Sequence, residues 1–217
     1  MKIAIVKLSA LGDIVHAMVV LQFIKKHNPK IEVDWVVEKS FKELLKLNPH
    51  INRVHEIDIK QAKKKKSFML LLDNLRKVRM LGPYDLVIDM QGLIKSAIVS
   101  RLIPSRITCG FDKSSLRESL ASIFYNQYFK YDYDKNVIDR NFELIKFALE
   151  LPFNKEEIKF KVPFLYSSQQ YIFPYFINQK NNIILIPGAS LSSKCYPVEK
   201  FIELTNLLDA NYLVIWG

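Results

Sequence analysis

The sequence predicts an α/β protein built on a doubly wound parallel sheet, and three observations predict it. Short apolar runs of strand length alternate with segments whose apolar residues recur at helical spacing. The first run, Ile3-Ala4-Ile5-Val6, leads through a turn carrying one glycine into a helical pattern. The same order of strand, glycine turn, helix and strand starts again at Asn182. Alternation of this kind marks parallel strands joined by helical crossovers.

The opening unit is organised around Lys7-Leu8-Ser9-Ala10-Leu11-Gly12-Asp13-Ile14-Val15-His16. A helix is predicted from Ile14 to Lys26, with Val15, Met18, Val19, Gln22, Phe23 and Lys26 at helix spacing. In open parallel sheets, ligands bind in the crevice at the carboxyl ends of the strands. Gly12 there lets a ligand approach the backbone closely, and Asp13 sits at the helix start. Its carboxylate suits a helix cap and a general base equally well. Ser9-Ala10-Leu11-Gly12 holds a single glycine, so the G-x-G-x-x-G spacing of a dinucleotide turn is missing.

Asn28-Pro29 breaks the first helix, and Ile31 to Val37 reads as a second strand. Ser40 is expected to cap a short helix from Phe41 to Leu47, followed by a third strand over Val54–Ile59. Lys60-Gln61-Ala62-Lys63-Lys64-Lys65-Lys66 is the densest charge run in the chain. It reads either as a solvated loop or as an anion-contacting loop beside the strand ends. A helix over Phe68–Met80 turns Leu71, Leu72, Leu75 and Val78 inward and stops at Gly82-Pro83. Tyr84 to Asp89 is a fourth buried strand with Met90-Gln91-Gly92-Leu93 as its exit turn, and a helix follows over Ile94–Leu102. Asp89, Gln91 and Gly92 therefore share a sheet edge with Asp13, where turn chemistry and ligand contact explain Gln91 and Gly92 equally well.

Arg106 to Phe111 is a fifth strand, and a short helix is expected from Ser114 through Tyr125-Asn126. Asp132-Tyr133-Asp134 has the D-x-D form of a metal-holding pair but reads as a loop. A long amphipathic helix over Asn136–Leu149 turns Val137, Phe142, Leu144, Ile145 and Ala148 inward. Lys155–Tyr166 is expected to be extended, and Gln169–Gln179 a short aromatic-rich helix. In the second start, Ile183–Ile186 is a buried strand, Pro187-Gly188-Ala189-Ser190 a turn, Val198–Leu208 a helix and Tyr212–Trp216 another strand. Two strands and one helix do not cover a parallel sheet on both faces, so the 217 residues are expected to belong to a longer design.

Lysine and arginine number 32 against 22 aspartates and glutamates, a formal charge of +10. Such a surplus calls for an anionic partner: nucleic acid, a phosphorylated sugar or an acidic membrane surface. Nucleic acid is not expected, since the lysine run has no interleaved aromatics and no recognisable module. Cys109 and Cys195 lie far apart with no C-x-x-C pattern, which argues against a disulfide framework or zinc site and fits a reducing cytoplasm. Lys7 interrupts the first apolar run too early for a signal peptide. No stretch approaches the roughly 18 to 20 apolar residues of a transmembrane helix. A soluble protein, peripheral at most, is expected.

Several stretches now carry a resemblance. They are Ile5-Val6-Lys7 with Leu11-Gly12-Asp13 and His16; Asp34-Trp35-Val36-Val37-Glu38; Val87 to Ser96, containing Asp89-Met90-Gln91-Gly92; Arg117-Glu118-Ser119-Leu120-Ala121-Ser122 with Phe124-Tyr125-Asn126; and Lys194-Cys195-Tyr196-Pro197. In this order, over essentially the whole chain, they resemble the lipopolysaccharide heptosyltransferase I family, inverting glycosyltransferases of GT-B type with two facing Rossmann-like domains. The resemblance implies a complete N-terminal acceptor domain over 1–150, a connection over 151–181, and the start of a donor-nucleotide domain over 182–217. It implies transfer of L-glycero-D-manno-heptose from ADP-heptose to the Kdo sugar on lipid A, in the cytoplasm at the inner face of the inner membrane of a Gram-negative cell.

In that family Asp13 corresponds to the general base. Lys194 matches the lysine that meets the donor phosphates, with Ser190 and Gly12 beside it. Lys60, Lys63, Lys64, Arg117 and Gln91 fall at acceptor-binding positions, although Arg117 also reads as a surface charge beside Glu118. No metal and no cofactor other than the ADP-heptose substrate is implied, because Lys194 and helix termini would stabilise the leaving diphosphate. The family's adenosine pocket lies beyond Gly217, so the chain alone is expected to bind ADP-heptose poorly and to turn over slowly or not at all. Two alternatives stay open: a related two-Rossmann transferase with another sugar donor, and a non-catalytic module that binds anionic glycolipid. A nucleotide-dependent oxidoreductase ranks below both, because of the single-glycine turn.

Overall fold

A computed structural model describes residues 1–168, 180–189 and 192–215. It divides into two compact units, Met1–Ser168 and Gln169–Gly217. The first contains six strands: β1 (Lys2–Val6), β2 (Glu32–Glu38), β3 (Arg53–Ile57), β4 (Tyr84–Asp89), β5 (Ser105–Phe111) and β6 (Gln127–Phe129). They form one sheet in the order β3-β2-β1-β4-β5-β6, and every neighbouring pair is parallel. Its helices are α1 (Leu11–Met18), α2 (Val20–His27), α3 (Lys42–Lys46), α4 (Ile59–Lys64), α5 (Phe68–Arg79), α6 (Ile94–Leu102) and α7 (Val137–Leu149).

Side chains of a strand alternate between faces, and the two faces bury different helices. Ile3, Ile5, Val33, Trp35, Leu86 and Ile88 join one cluster with Ile14, Met18, Phe23 and Ile24 of α1 and α2 and Phe142, Leu144 and Ile145 of α7. Ala4, Val6, Val36 and Val87 join the other, with Val78 of α5 and Val99 of α6. Burial on both faces is why the strands are continuous apolar runs rather than alternating ones. Trp35 is fully buried, and its indole N–H donates to the carbonyl of Lys7 at 3.3 Å, which satisfies its one polar atom. β1 connects towards β2 while β4 connects towards β5, so their carboxyl ends diverge and open a crevice between the turns 7–10 and 90–93.

Several expectations shift. The predicted first helix is two helices, broken at Val19. Ser40 lies in a 3-10 turn over Lys39–Phe41 and does not cap α3. Most of the lysine run is not a loop: Lys60, Lys63 and Lys64 lie in α4, which Asp58 caps by accepting the Gln61 N–H at 3.1 Å, and Lys65 and Lys66 follow in a turn. The helix expected after Ser114 is a pair of 3-10 turns, Lys113–Ser115 and Ser119–Phe124, and the short strand β6 after them was not anticipated.

Residues 151–168 belong to the first unit rather than to a connection. Phe153 is buried against Phe142 and His27, and Lys155–Phe160 is a 3-10 turn where an extended segment was expected. Glu157 in that turn meets Lys26 at 2.5 Å and His27 at 3.1 Å, and these contacts hold its carboxyl down at about 2.

The second unit contains β7 (Asn181–Leu185), α8 (Val198–Leu207) and β8 (Ala210–Val214), with the two strands paired in parallel. Of the predicted buried run Ile183–Ile186, Leu185 is buried while Ile184 and Ile186 are exposed. The helix expected over 169–179 lies outside the described residues. No helix among the described residues is long and apolar enough to cross a membrane.

Candidate active site

At the β1–β4 crevice a cavity of about 330 Å³ is lined by Asp13 and by four cations, Lys7, Arg117, Lys135 and Arg140, together with Gln91 and Asn141. One carboxylate among four positive side chains suits a molecule that is itself anionic and carries a group to be deprotonated.

Asp13 is the third residue of α1, not its cap. Its carboxylate accepts the Ala10 N–H at 3.3 Å, a long contact that tethers it to the turn while leaving it exposed. Gly12, one residue earlier, has nothing within 4 Å of the place a Cβ would take.

The turn carrying Asp13 is held from the neighbouring strand. The side-chain oxygen of Gln91 accepts the backbone N–H of Leu8 at 2.7 Å and of Ser9 at 3.3 Å. Lys95 donates to the Ser9 hydroxyl at 3.1 Å. Gln91 is in turn set by Asp89, whose Oδ1 accepts the N–H of Gln91 at 2.8 Å and of Gly92 at 3.1 Å. The other oxygen of Asp89 accepts the Tyr125 hydroxyl at 2.8 Å. Gly92 has φ +70°, and a Cβ there would lie 2.5 Å from the Leu116 side chain, so this turn needs glycine. Asp89 is fully buried, and that burial pushes its carboxyl up despite these hydrogen bonds.

Lys7 leaves β1 beneath the crevice and donates to the carbonyl of Met90 at 2.9 Å. Burial lowers its pKa, while the charges of Asp13 and Asp89 pull it back up. Arg140 on α7 is clamped by two carbonyls, those of Asp132 and Ser115, each at 2.8 Å. It lies over the rings of Phe111 at 4.5 Å and Tyr133 at 4.9 Å. Burial lowers its pKa. The Asp132-Tyr133-Asp134 loop is thus the seat of an arginine, and Asp132 also turns the chain by accepting the Asp134 N–H at 3.0 Å. Asn141 has a side-chain NH2 that is buried and has no hydrogen-bond partner, at the wall of the cavity.

Of the residues singled out from sequence, the cavity brings together Asp13, Gln91 and Arg117. Gln91 faces it but spends its side-chain oxygen on the turn. Arg117 is exposed, and its neighbour Glu118 does not pair with it but caps α6 by accepting the Ile94 N–H at 2.7 Å. Lys60, Lys63 and Lys64 lie on α4 and are not among the residues lining the cavity. Lys60 rests over the ring of Phe41 at 4.5 Å. Lys194 ends a 3-10 turn in the second unit and is exposed, and Ser190 lies outside the described residues. Sequence reasoning gave no role to Lys7, Lys135, Arg140 or Asn141. The signal for the last two was a polar pair inside the inward stripe of α7.

The fold and cavity define an α/β protein whose sheet-edge crevice sets one exposed carboxylate beside four cationic side chains. Residues 74–216, more than half of the chain, match the profile of glycosyltransferase family 9 (heptosyltransferase), and the chain belongs to that family. It is 40% identical over 228 residues to lipopolysaccharide heptosyltransferase 1 of Campylobacter coli, covering 100% of this chain and 65% of that protein. It is 34% identical over 155 residues to the enzyme of the same name from Pseudomonas aeruginosa, covering 70% of this chain and 44% of that one. The solved structure of the E. coli heptosyltransferase WaaC with ADP-2-deoxy-2-fluoro heptose superposes with a TM-score of 0.78 at 27% identity, over 100% of this chain and 69% of that one. The chain thus spans under two thirds of the length of the two curated relatives. The parallel-sheet α/β unit accords with the GT-B type of the family.

Proposed function

We propose that this chain serves an inverting heptosyltransferase that moves heptose from ADP-heptose to the Kdo sugar of the lipopolysaccharide inner core. It supplies the acceptor half of the reaction, on a membrane-borne acceptor reached from the cytoplasmic side. The observation that carries the reading is the exposed Asp13 carboxylate facing a cavity walled by Arg117, Lys135 and Arg140 in a chain of this family. The relative solved with a fluorinated ADP-heptose supports the choice of donor.

In the step proposed, Asp13 takes the proton of an acceptor hydroxyl as its oxygen bonds to the anomeric carbon. The bond from that carbon to the ADP phosphate breaks on the opposite face, and ADP leaves with the electron pair. Arg117 and Arg140 hold the acceptor's acidic groups. Lys194 and Ser190, of the second unit, meet the donor diphosphate.

The test uses deacylated Kdo-lipid A as a water-soluble acceptor. Calorimetry is expected to show it binding to the wild-type chain and to Asp13→Asn alike, and at least tenfold more weakly to Arg117→Glu. Any slow heptose transfer, accumulated at high chain and donor concentration and read by mass spectrometry, falls to background in Asp13→Asn, because loss of the base costs about two to four orders of magnitude. Transfer that survives the Asp13 change, or a wild-type chain that ignores the acceptor, overturns the reading.

A further inference from the structure

Among the described residues, five buried side-chain atoms have no hydrogen-bond partner: His16 Nδ1, Asp34 Oδ1, Glu38 Oε1, Gln127 Oε1 and Asn141 Nδ2. Only the last belongs to a residue that lines the cavity beside Asp13. It also differs in kind. An oxygen has two lone pairs and tolerates being under-filled, and Asp34 already spends its other oxygen on Tyr84 at 2.7 Å and His55 at 3.1 Å. The Asn141 nitrogen carries two protons and gives neither to an acceptor, although Asn141 is 2% exposed. The helix does not call for it. Asn141 lies in the interior of α7, where asparagine is a poorer helix former than leucine or alanine, and Asn136 already supplies the cap by accepting the Ile138 N–H at 2.8 Å. The next buried residues, Phe142, Leu144 and Ile145, are all apolar. Val137, Arg140 and Asn141 turn one side of α7 to the cavity, at the three- and four-residue spacing of a helix face.

The other amide on that wall is committed. Gln91 spends its oxygen on the N–H groups of Leu8 and Ser9 and donates to the Ser9 hydroxyl at 3.4 Å. Lys7, Arg117, Lys135 and Arg140 are cations and suit the acidic groups of a ligand. A neutral amide suits a neutral hydroxyl instead, because it can both donate and accept. We infer that Asn141 is a specificity-determining residue for the sugar acceptor. Its amide hydrogen-bonds a hydroxyl that the reaction leaves untouched, while Asp13 takes the proton of the hydroxyl that reacts. A half-turn about the last torsion of the side chain brings either end of the amide to the cavity. Cations alone hold an acid without distinguishing its hydroxyls. A buried amide left unpaired by the wrong guest rejects an analogue that lacks the matching oxygen. The inference rests on the reading of the acceptor as a Kdo sugar and adds the residue that distinguishes its hydroxyls.

The test is calorimetry of the whole chain with deacylated Kdo-lipid A and with analogues that each lack one Kdo hydroxyl other than the reacting one. The wild-type chain is expected to bind one of these analogues about tenfold more weakly than the parent. Asn141→Leu is expected to bind the parent about tenfold more weakly than wild type, and to bind that analogue and the parent alike. It replaces an unpaired donor by an apolar group, so it is expected to melt no lower than wild type. Asn141→Ala, which needs no added room, carries the same expectation for binding.

Discrimination between parent and analogue decides the matter, whatever the melting temperatures. A merely structural role for Asn141 would weaken the parent and every analogue by the same factor, and that outcome overturns the inference. Parent binding unchanged in both variants overturns it too, as does a wild-type chain that binds all the analogues as tightly as the parent. In each of these cases the acceptor still binds, and the reading above stands. A wild-type chain that ignores the parent overturns both. Transfer that survives Asp13→Asn, with the Asn141 pattern intact, overturns the assignment of the base alone.

Discussion

The side-chain oxygen of Gln91 fills a place that backbone atoms cannot. β1 ends at Val6, so the N–H groups of Leu8 and Ser9 have no strand partner, and Gln91 accepts both from the neighbouring exit turn. Gln91→Ala is expected to lower unfolding free energy in urea by about 1 to 3 kcal/mol, because two part-buried donors lose their acceptor. Gln91→Glu keeps an acceptor oxygen in place and is expected to recover most of that loss. The sequence left Gln91 open between turn chemistry and ligand contact, and no spacing rule could decide, since its partners lie more than 80 positions away. Arg140 was illegible for a related reason. Its carbonyl clamps at Ser115 and Asp132 come from loops whose approach to α7 is a tertiary event. Asp13 was legible because strand, glycine turn and helix are all local to it.

Strands were the easiest elements to read, since burial on both sheet faces leaves unbroken apolar runs. The lysine run misled because its charge was weighed before its cap: Asp58, three residues ahead of Gln61, already marked a helix start. The segment after Leu149 misled in the opposite way. Leu151-Pro152-Phe153-Asn154 has the composition of a linker, yet Phe153 is 2% exposed, with ring centroids 4.9 Å from Phe142 and 5.0 Å from His27. Phe153→Ala is expected to destabilise the first unit by about 3 to 5 kcal/mol in denaturant unfolding, the usual cost of emptying a buried aromatic site. A linker residue would cost almost nothing, so the measurement separates the two readings of this segment.

At the scale of the molecule, strand order decides where chemistry happens. The chain winds from β1 through β2 to β3, then crosses back to place β4 on the other side of β1. That reversal brings turns 80 residues apart in sequence to one crevice, and it collects Asp13, Gln91, Arg117 and Arg140 within the first unit. Alternating elements made the sheet readable, but the side of β1 on which β4 would land was not written in any single element.

The empty volume beside Gly12 bears on this. Gly92 is a glycine its own turn demands, whereas position 12 has ordinary helical neighbours and free space where a methyl group would go. Alanine there should therefore be harmless to the fold, and even raise thermal stability by up to about 1 kcal/mol through helix propensity. A variant that melts no lower than its parent yet loses grip on a sugar nucleotide would identify that missing methyl as clearance reserved for a guest.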